Sequence, residues 1–165
     1  TISQKIVNME EAINSLCGVN AQFNQAMKEA SEMPIAKDDF EPLVTGFLLR
    51  SEKAQGKALT TRTKNVANRI ATLGIVAGKG NAGETLLDVF SGATDYYSHE
   101  SASGTDEEKQ DLSAFNGSGN RLSNEFFGQL FNLDDKGRFV GIASERIGDM
   151  VKTGRNALRE YAMAN

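Results

Sequence analysis

An apolar repeat at the N-terminus constrains the fold of this chain more than any other feature. Hydrophobic side chains recur there at steps of three and four residues, the period of one α-helix face. This N-terminal apolar face comprises Ile2, Ile6, Met9, Ile13, Leu16, Val19 or Asn20, Phe23, Met27 and Ala30. A helix of about 30 residues is about 45 Å long. It must therefore pack along a helix of its own bundle or along another chain, and Pro34 is expected to end it.

Caps and glycines predict where the next two helices begin and end. The second should begin at Asp38, a candidate N-cap, with Glu41 three residues later and Pro42 in the first turn. Its buried face is predicted to be Phe40, Leu43, Val44, Phe47 and Leu48. The third should begin at Thr60 or Thr61 and bury Val66, Ile70 and Leu73. The glycines expected to end it are Gly74, Gly78, Gly80 and Gly83.

A fourth helix is predicted from Glu84 to about His99. The polar residues that follow, 98–110, have nothing apolar to bury and predict a mobile acidic loop. A fifth helix is expected after Ser118 or Asn120. Its apolar side chains are Leu122, Phe126, Phe127, Leu130 and Phe131.

The last helix is predicted from Ala143 or Ser144, after a turn at residues 134–137, and Gly154 should weaken it midway. No convincing set of alternating strands is found, so the predicted fold class is all-α. We expect a bundle of five to six helices with a long N-terminal helix. Residues 1–132 are predicted to form one helical domain, and residues 133–165 a turn plus a helix that packs on it.

Charge is unevenly distributed along the chain, whose net charge is −4. Residues 50–79 contain seven basic residues and one acidic residue, a balance of +6. Residues 84–111 contain one basic and eight acidic residues, a balance of −7. The basic segment indicates either a nucleic-acid surface that contacts phosphates or a complement to the acidic segment. The candidate nucleic-acid-binding residues are Lys57, Arg62, Lys64, Arg69 and Lys79.

Residues 78–83 match the Gly-x-Gly-x-x-Gly spacing of dinucleotide-binding loops. That fingerprint requires a second parallel strand, and the polar stretch after the fourth helix does not offer one. A simpler anion site formed by Lys79, Gly80 and Gly83 is the remaining binding hypothesis, beside a plain connector. We expect no nucleotide cofactor.

The chain has too few histidines and cysteines for common catalytic or metal sites. His99 is the only histidine and Cys17 the only cysteine. Asn132 and Asp134 resemble part of a calcium loop, but Lys136 stands where an oxygen ligand is needed. We therefore expect no catalytic residue and no metal site, and predict that the chain is not an enzyme.

The sequence contains no apolar window of the roughly 18 residues that would indicate a membrane span and no signal-like start. The single cysteine also agrees with a reducing compartment. We expect a cytoplasmic protein with no membrane partner.

Two short motifs resemble the phage/plasmid-like protein family, a domain of unknown function. The first lies in residues 83–100, where Thr85, Thr94, Asp95, Tyr96 and His99 match in register. The second is the Phe-Asn-Gly-Ser-Gly element, which contains Gly117, Ser118 and Gly119. Leu87 and Ser91 depart from the Trp and Asn of the first motif.

The resemblance covers residues 2–130 and implies a phage or plasmid origin, a bacterial host cytoplasm and work near DNA replication or recombination. Family members carry additional N-terminal sequence, so the chain resembles a C-terminal part. We expect a helical interaction or oligomerisation module that self-associates or binds a protein through its first helix. The alternatives are a nucleic-acid-binding accessory of strand annealing and a small-anion site at the glycine-rich segment.

Overall fold

A computed structural model describes residues 22–50, 58–78, 84–103 and 122–164. The described part of the first helix, α1, covers residues 22–32. A 3-10 helix, Lys37–Asp39, leads into α2 (Phe40–Leu49). The other elements are α3 (Thr61–Ala77), α4 (Leu86–Ser103), α5 (Leu122–Leu130), β1 (Phe131–Leu133), β2 (Phe139–Ile142) and α6 (Ser144–Ala164). The prediction of a mainly helical protein is confirmed, and the described residues form six α-helices and one 3-10 helix.

The all-α prediction was wrong in one respect, because β1 and β2 form a short antiparallel hairpin. Phe131 was expected in the fifth helix, but α5 ends at Leu130 and Phe131 begins β1. The turn predicted at residues 134–137 is confirmed as the turn of this hairpin. Gly137 adopts φ +76°, a left-handed conformation that glycine tolerates best. The alternating pattern was missed because strands of three and four residues are shorter than the windows that reveal a period.

Close backbone contact joins α2 to α6. A Cβ atom on Gly46 would overlap the Met150 carbonyl, and one on Gly154 would overlap the Pro42 carbonyl. Pro42 therefore meets Gly154 and Gly46 meets Met150, so the two helices run antiparallel. Gly154 had been predicted to weaken the last helix, but it is the residue that lets α6 lie against α2.

A second pair of antiparallel helices, α3 and α4, uses glycine in the same way. A Cβ atom on Gly74 would lie 2.9 Å from the Asp88 carbonyl oxygen, and one on Gly92 would lie 2.5 Å from the Ile70 carbonyl oxygen. The prediction that Gly74 ends the third helix was wrong, because tertiary packing retains it inside α3. Gly78 is the C-cap of that helix, as its position predicted.

The starts of the helices test the predicted caps. The third helix, predicted to begin at Thr60 or Thr61, begins at Thr61; Thr60 is its N-cap, and the Thr60 hydroxyl accepts from the Thr63 amide at 3.1 Å. Asp38 was wrong as the cap of the second helix, because it lies in the 3-10 turn and α2 begins at Phe40 without a side-chain cap. At the start of α4 the Thr85 amide donates to Asp88 Oδ2 at 2.9 Å, so the Asp88 carboxylate caps this helix end.

The fourth helix is longer than predicted. It continues through residues 99–103, where the sequence predicted the first part of a mobile acidic loop. The polar composition of residues 99–103 predicted a loop. A helix can nevertheless continue through polar residues, because its backbone hydrogen bonds do not depend on an apolar side chain at every turn. The rest of that predicted loop, residues 104–110, lies outside the described residues.

One hydrophobic core connects all described helices. The predicted buried face of α2 is confirmed, since Phe40, Leu43, Val44, Phe47 and Leu48 are all buried. Val66 and Ile70 of α3 join it, as do Leu86 and Val89 of α4. Each large apolar side chain that is fully buried stabilises the fold by about 1.5–3 kcal/mol relative to its exposure. The two helix pairs are thus held in one body.

Candidate interaction surfaces

The described cations of the predicted nucleic-acid surface lie on α3 and are engaged by neighbouring side chains. Lys64 Nζ is 3.7 Å from Glu41 Oε1 and 5.8 Å from the centre of the Tyr161 ring. Arg69 is exposed and lies 5.9 Å from the centre of the Tyr96 ring. Arg62 is exposed and also has a partner. Lys57 and Lys79 lie outside the described residues.

Lys64 belongs to a polar contact between three helices. Asn68 Nδ2 donates to Glu41 Oε2 at 3.4 Å, and the hydroxyls of Thr61 and Tyr161 are 2.7 Å apart. The carboxylate that pairs with Lys64 thus comes from α2, not from the acidic segment that begins at Glu84. This contact joins the start of α3 to α2 and to the end of α6. Lys64 therefore takes part in the packing of these three helices.

The anion-site residues Lys79, Gly80 and Gly83 lie outside the described residues, but both flanks of their segment are described. The C-terminus of α3, the negative end of its helix dipole, precedes the segment. Two carboxylates follow it: Glu84, which pairs with Lys37 at 3.9 Å, and Asp88, which is 4% exposed. These charges are unfavourable to an anion at the described flanks.

Four residues of the first family-like motif are described in full: Thr85, which directly precedes α4, and three residues within that helix. Thr85 caps the helix with Asp88, and the Thr94 hydroxyl donates to the Phe90 carbonyl at 3.1 Å. Tyr96 is buried beneath Arg69, whereas Asp95 is exposed. His99 lies on α4, and its side chain is outside the description. Gly117, Ser118 and Gly119 also lie outside the described residues.

The start of α4 is also tied to the chain that follows α1. The Leu86 amide donates to the Met33 carbonyl at 2.9 Å, and the Ile35 amide donates to the Glu84 carbonyl at 3.1 Å. Thr85 and Pro34 therefore form an isolated antiparallel bridge. This backbone pairing fixes the end of α1 beside α4, which positions the exposed surface of α1 relative to the core.

A row of phenylalanines connects α1 to the hairpin. Phe23 of α1 stacks on Phe127 of α5, with ring centres 6.3 Å apart and an interplanar angle of 12°. Phe127 also contacts Phe131 at 4.6 Å and Phe90 at 6.0 Å, and Phe131 contacts Phe139 at 5.7 Å. The sequence indicated an aromatic fifth helix but not its pairing with Phe23, which depends on tertiary packing.

Phe23 differs from the other described members of the N-terminal apolar face. Its side chain is 48% exposed, whereas Ala30 is completely buried and Met27 packs partly buried against the core. Ala26, beside this face, is also completely buried. The core of the described chain therefore covers this face at residues 27–30 and only partly at Phe23.

The hairpin turn resembles a calcium loop in sequence, but its Asp134 side chain is engaged by the protein. Asp134 Oδ1 accepts from the Lys136 and Arg138 amides at 2.9 Å, and Oδ2 accepts from Arg138 Nε at 2.8 Å. The backbone hydrogen bond from Arg138 is the chief reason that the pKa of Asp134 lies below its ordinary value. Within the described ranges, no group of three or more possible ligands could hold a metal ion.

None of the described helices is both long enough and apolar enough to cross a membrane.

Comparisons with protein-family models, curated proteins and solved structures found no match to this chain. Membership of the phage/plasmid-like family thus stays a prediction from the two motifs.

Proposed function

We propose that this chain is a helical interaction module that self-associates through its N-terminal apolar face. The exposure of Phe23 is the observation that carries the proposal. This aromatic side chain belongs to the face whose later residues are buried, yet 48% of it remains accessible. The upstream members, Ile2 to Leu16, lie outside the described residues and enter the proposal through their spacing alone.

The hydrophobic effect favours covering this face. Burying one Ile, Leu, Met or Phe side chain contributes about 1.5–3 kcal/mol relative to leaving it exposed. A contiguous row of such side chains is characteristic of a protein interface. A second copy of the chain offers the same apolar row, and the pairing of two rows would also cover Phe23.

The module acts in this proposal by binding, without chemistry of its own. The resemblance to the phage/plasmid-like family supports a phage or plasmid origin and a bacterial host cytoplasm. The nucleic-acid alternative has less support from the described residues, since Lys64 is engaged by Glu41 and Tyr161.

Sedimentation velocity over a concentration series tests the proposal with two matched variants. Ile13→Asp puts a carboxylate on the apolar face, and Asn14→Asp adds the same side chain one position away from it. We expect the wild-type chain and Asn14→Asp to associate as concentration rises. Ile13→Asp should weaken association by about a hundredfold, because an unpaired charge in an apolar interface costs about 3 kcal/mol or more.

Circular dichroism on both variants should show that the fold is retained. The proposal fails if the wild-type chain remains a monomer throughout the series. It also fails if Ile13→Asp associates as strongly as Asn14→Asp.

A further inference from the structure

We infer that a single water molecule binds inside this protein, where α2 meets α3 and α6, and that Thr45 and Glu41 hold it. Both residues belong to α2. The site lies within one chain, so the inference does not depend on the self-association proposed above. It starts from two buried oxygen atoms that have no hydrogen bond.

The Thr45 hydroxyl is the more deeply buried of these two groups. Thr45 is completely buried, and its Oγ1 has no hydrogen-bond partner among the described residues. Within a helix a threonine hydroxyl commonly donates to the carbonyl four residues earlier, as Thr94 does to Phe90 at 3.1 Å. Thr45 does not make this bond. Because burial removes the bonds that a hydroxyl makes to bulk water, an unpaired hydroxyl in the core destabilises the fold.

Glu41 Oε1 is the second buried oxygen. It is shielded from solvent and has no hydrogen-bond partner among the described residues. Lys64 Nζ lies 3.7 Å away, which suits an ion pair. That separation is longer than the range of about 2.7–3.2 Å of an N–H···O hydrogen bond. A polar contact of this length is a place where a bridging water is expected.

Thr45 and Glu41 lie one helical turn apart on the same side of α2. Side chains four residues apart on a helix have Cβ atoms about 5–6 Å apart, a gap that one water with two hydrogen bonds can span. Pro42 and Gly46 meet the backbone of α6, while the Glu41 side chain meets α3. Thr45 falls between these two directions around the helix, so it lies on the side of α2 between α3 and α6.

The available groups match the hydrogen bonds of one water molecule. A buried water typically makes about three hydrogen bonds to groups that are otherwise unpaired. This water donates to Glu41 Oε1, accepts from Lys64 Nζ and shares its third bond with Thr45 Oγ1. The carboxylate can only accept, the ammonium can only donate and the hydroxyl can do either, so each bond has a donor and an acceptor.

The charges of the site favour a neutral ligand over a metal ion. Lys64 already places a positive charge 3.7 Å from Glu41 Oε1, and it would repel a second cation there. The water therefore links the Thr45 hydroxyl to the polar contact of Glu41, Lys64 and Tyr161.

Urea unfolding of Thr45→Val tests the inference. Valine keeps the shape of the side chain and removes the hydroxyl, so a bound water would lose one of its partners. We then expect the equilibrium constant of unfolding to rise by about tenfold. If the hydroxyl is simply unpaired, its removal relieves a desolvation cost. An unchanged or lower constant would therefore overturn the inference.

Thr72→Val is the matched control, because Thr72 is exposed on α3. Its hydroxyl reaches bulk water in the folded and unfolded chain alike. We expect the unfolding constant of this variant to change by no more than about twofold.

A double-mutant cycle tests whether the two oxygens share one water. In the Glu41→Ala background, Thr45→Val should lose most of its effect, which corresponds to a coupling of about fivefold or more in the unfolding constant. Effects of the two substitutions that simply add would show that the groups are not bridged.

A crystal structure of the wild-type chain gives the direct observation. We expect one ordered water within about 3.2 Å of both Thr45 Oγ1 and Glu41 Oε1. A Thr45 hydroxyl that donates to the Glu41 carbonyl, with no water beside it, would overturn the inference. The result is separate from that of the sedimentation experiment, which concerns a different part of the chain.

Discussion

Single glycine residues determine how closely the helices of this protein approach each other. Gly46, Gly74, Gly92 and Gly154 all lie inside helices, where glycine costs about 1 kcal/mol relative to alanine. At each of them a Cβ atom would come within 3 Å of the backbone of a neighbouring helix. The cost to the helix is therefore offset by packing that no other residue permits.

Gly154→Ala is predicted to destabilise the protein by about 2–4 kcal/mol. The new methyl group would overlap the Pro42 carbonyl, and a backbone atom cannot move aside as the end of a flexible side chain can. Gly148→Ala is the matched control in the same helix, because a Cβ atom there meets nothing within 4 Å. It should be neutral or stabilise by up to about 1 kcal/mol. Urea unfolding of both variants measures the difference, and equal stabilities would contradict the close-contact interpretation.

Contacts at the helix termini determine where the helices and strands of this protein begin and end. The Asp88 carboxylate accepts from the Thr85 amide at the start of α4, while the bridge between Pro34 and Thr85 joins that start to the chain after α1. The guanidinium of Arg146 performs a similar role at the end of α5. Its Nε donates to the Gln129 carbonyl at 2.8 Å and its Nη2 to the Phe131 carbonyl at 3.3 Å. Asp88 thus acts on the start of its own helix, whereas the Arg146 side chain contacts the end of α5 and the start of β1 from 15–17 residues away in the sequence.

Asp88→Ala is predicted to destabilise the protein by about 1–3 kcal/mol. It removes the acceptor for the Thr85 amide at a nearly buried site, and an unpaired donor there carries a desolvation cost. Asp95→Ala, at an exposed position of the same helix, is expected to change stability by less than about 0.5 kcal/mol. The free energies of unfolding of the two variants give the comparison. A loss at Asp95 as large as the loss at Asp88 would refute the capping role.

At the scale of the whole molecule, two antiparallel helix pairs share one core, and α1 extends the apolar surface of that core toward Phe23. The polar contact of Glu41, Lys64 and Tyr161 joins α2, α3 and α6. The fold therefore uses part of its basic segment internally and leaves an aromatic side chain accessible on α1.

Self-association of the whole molecule should make its thermal stability depend on concentration. Because a partner that binds the folded state stabilises it by mass action, the Tm of the wild-type chain should rise with protein concentration. The Tm of Ile13→Asp should stay constant over the same range. Differential scanning calorimetry measures both. A constant Tm in the wild-type chain, at concentrations where sedimentation shows association, would indicate that association does not stabilise the fold.

The sequence by itself determined the helical class, the buried face of α2, the start of α3 at Thr60 or Thr61 and the turn at residues 134–137. These features depend on periodicity and on side chains that act on their own backbone, so local chemistry is sufficient to predict them. Tertiary structure alone decided that Gly74 and Gly154 pack inside helices, that Phe131 begins a strand, and that Lys64 pairs with Glu41. In each case the deciding atoms come from residues far away in the chain. A local sequence pattern therefore cannot predict these contacts, because they depend on how distant parts of the chain pack together.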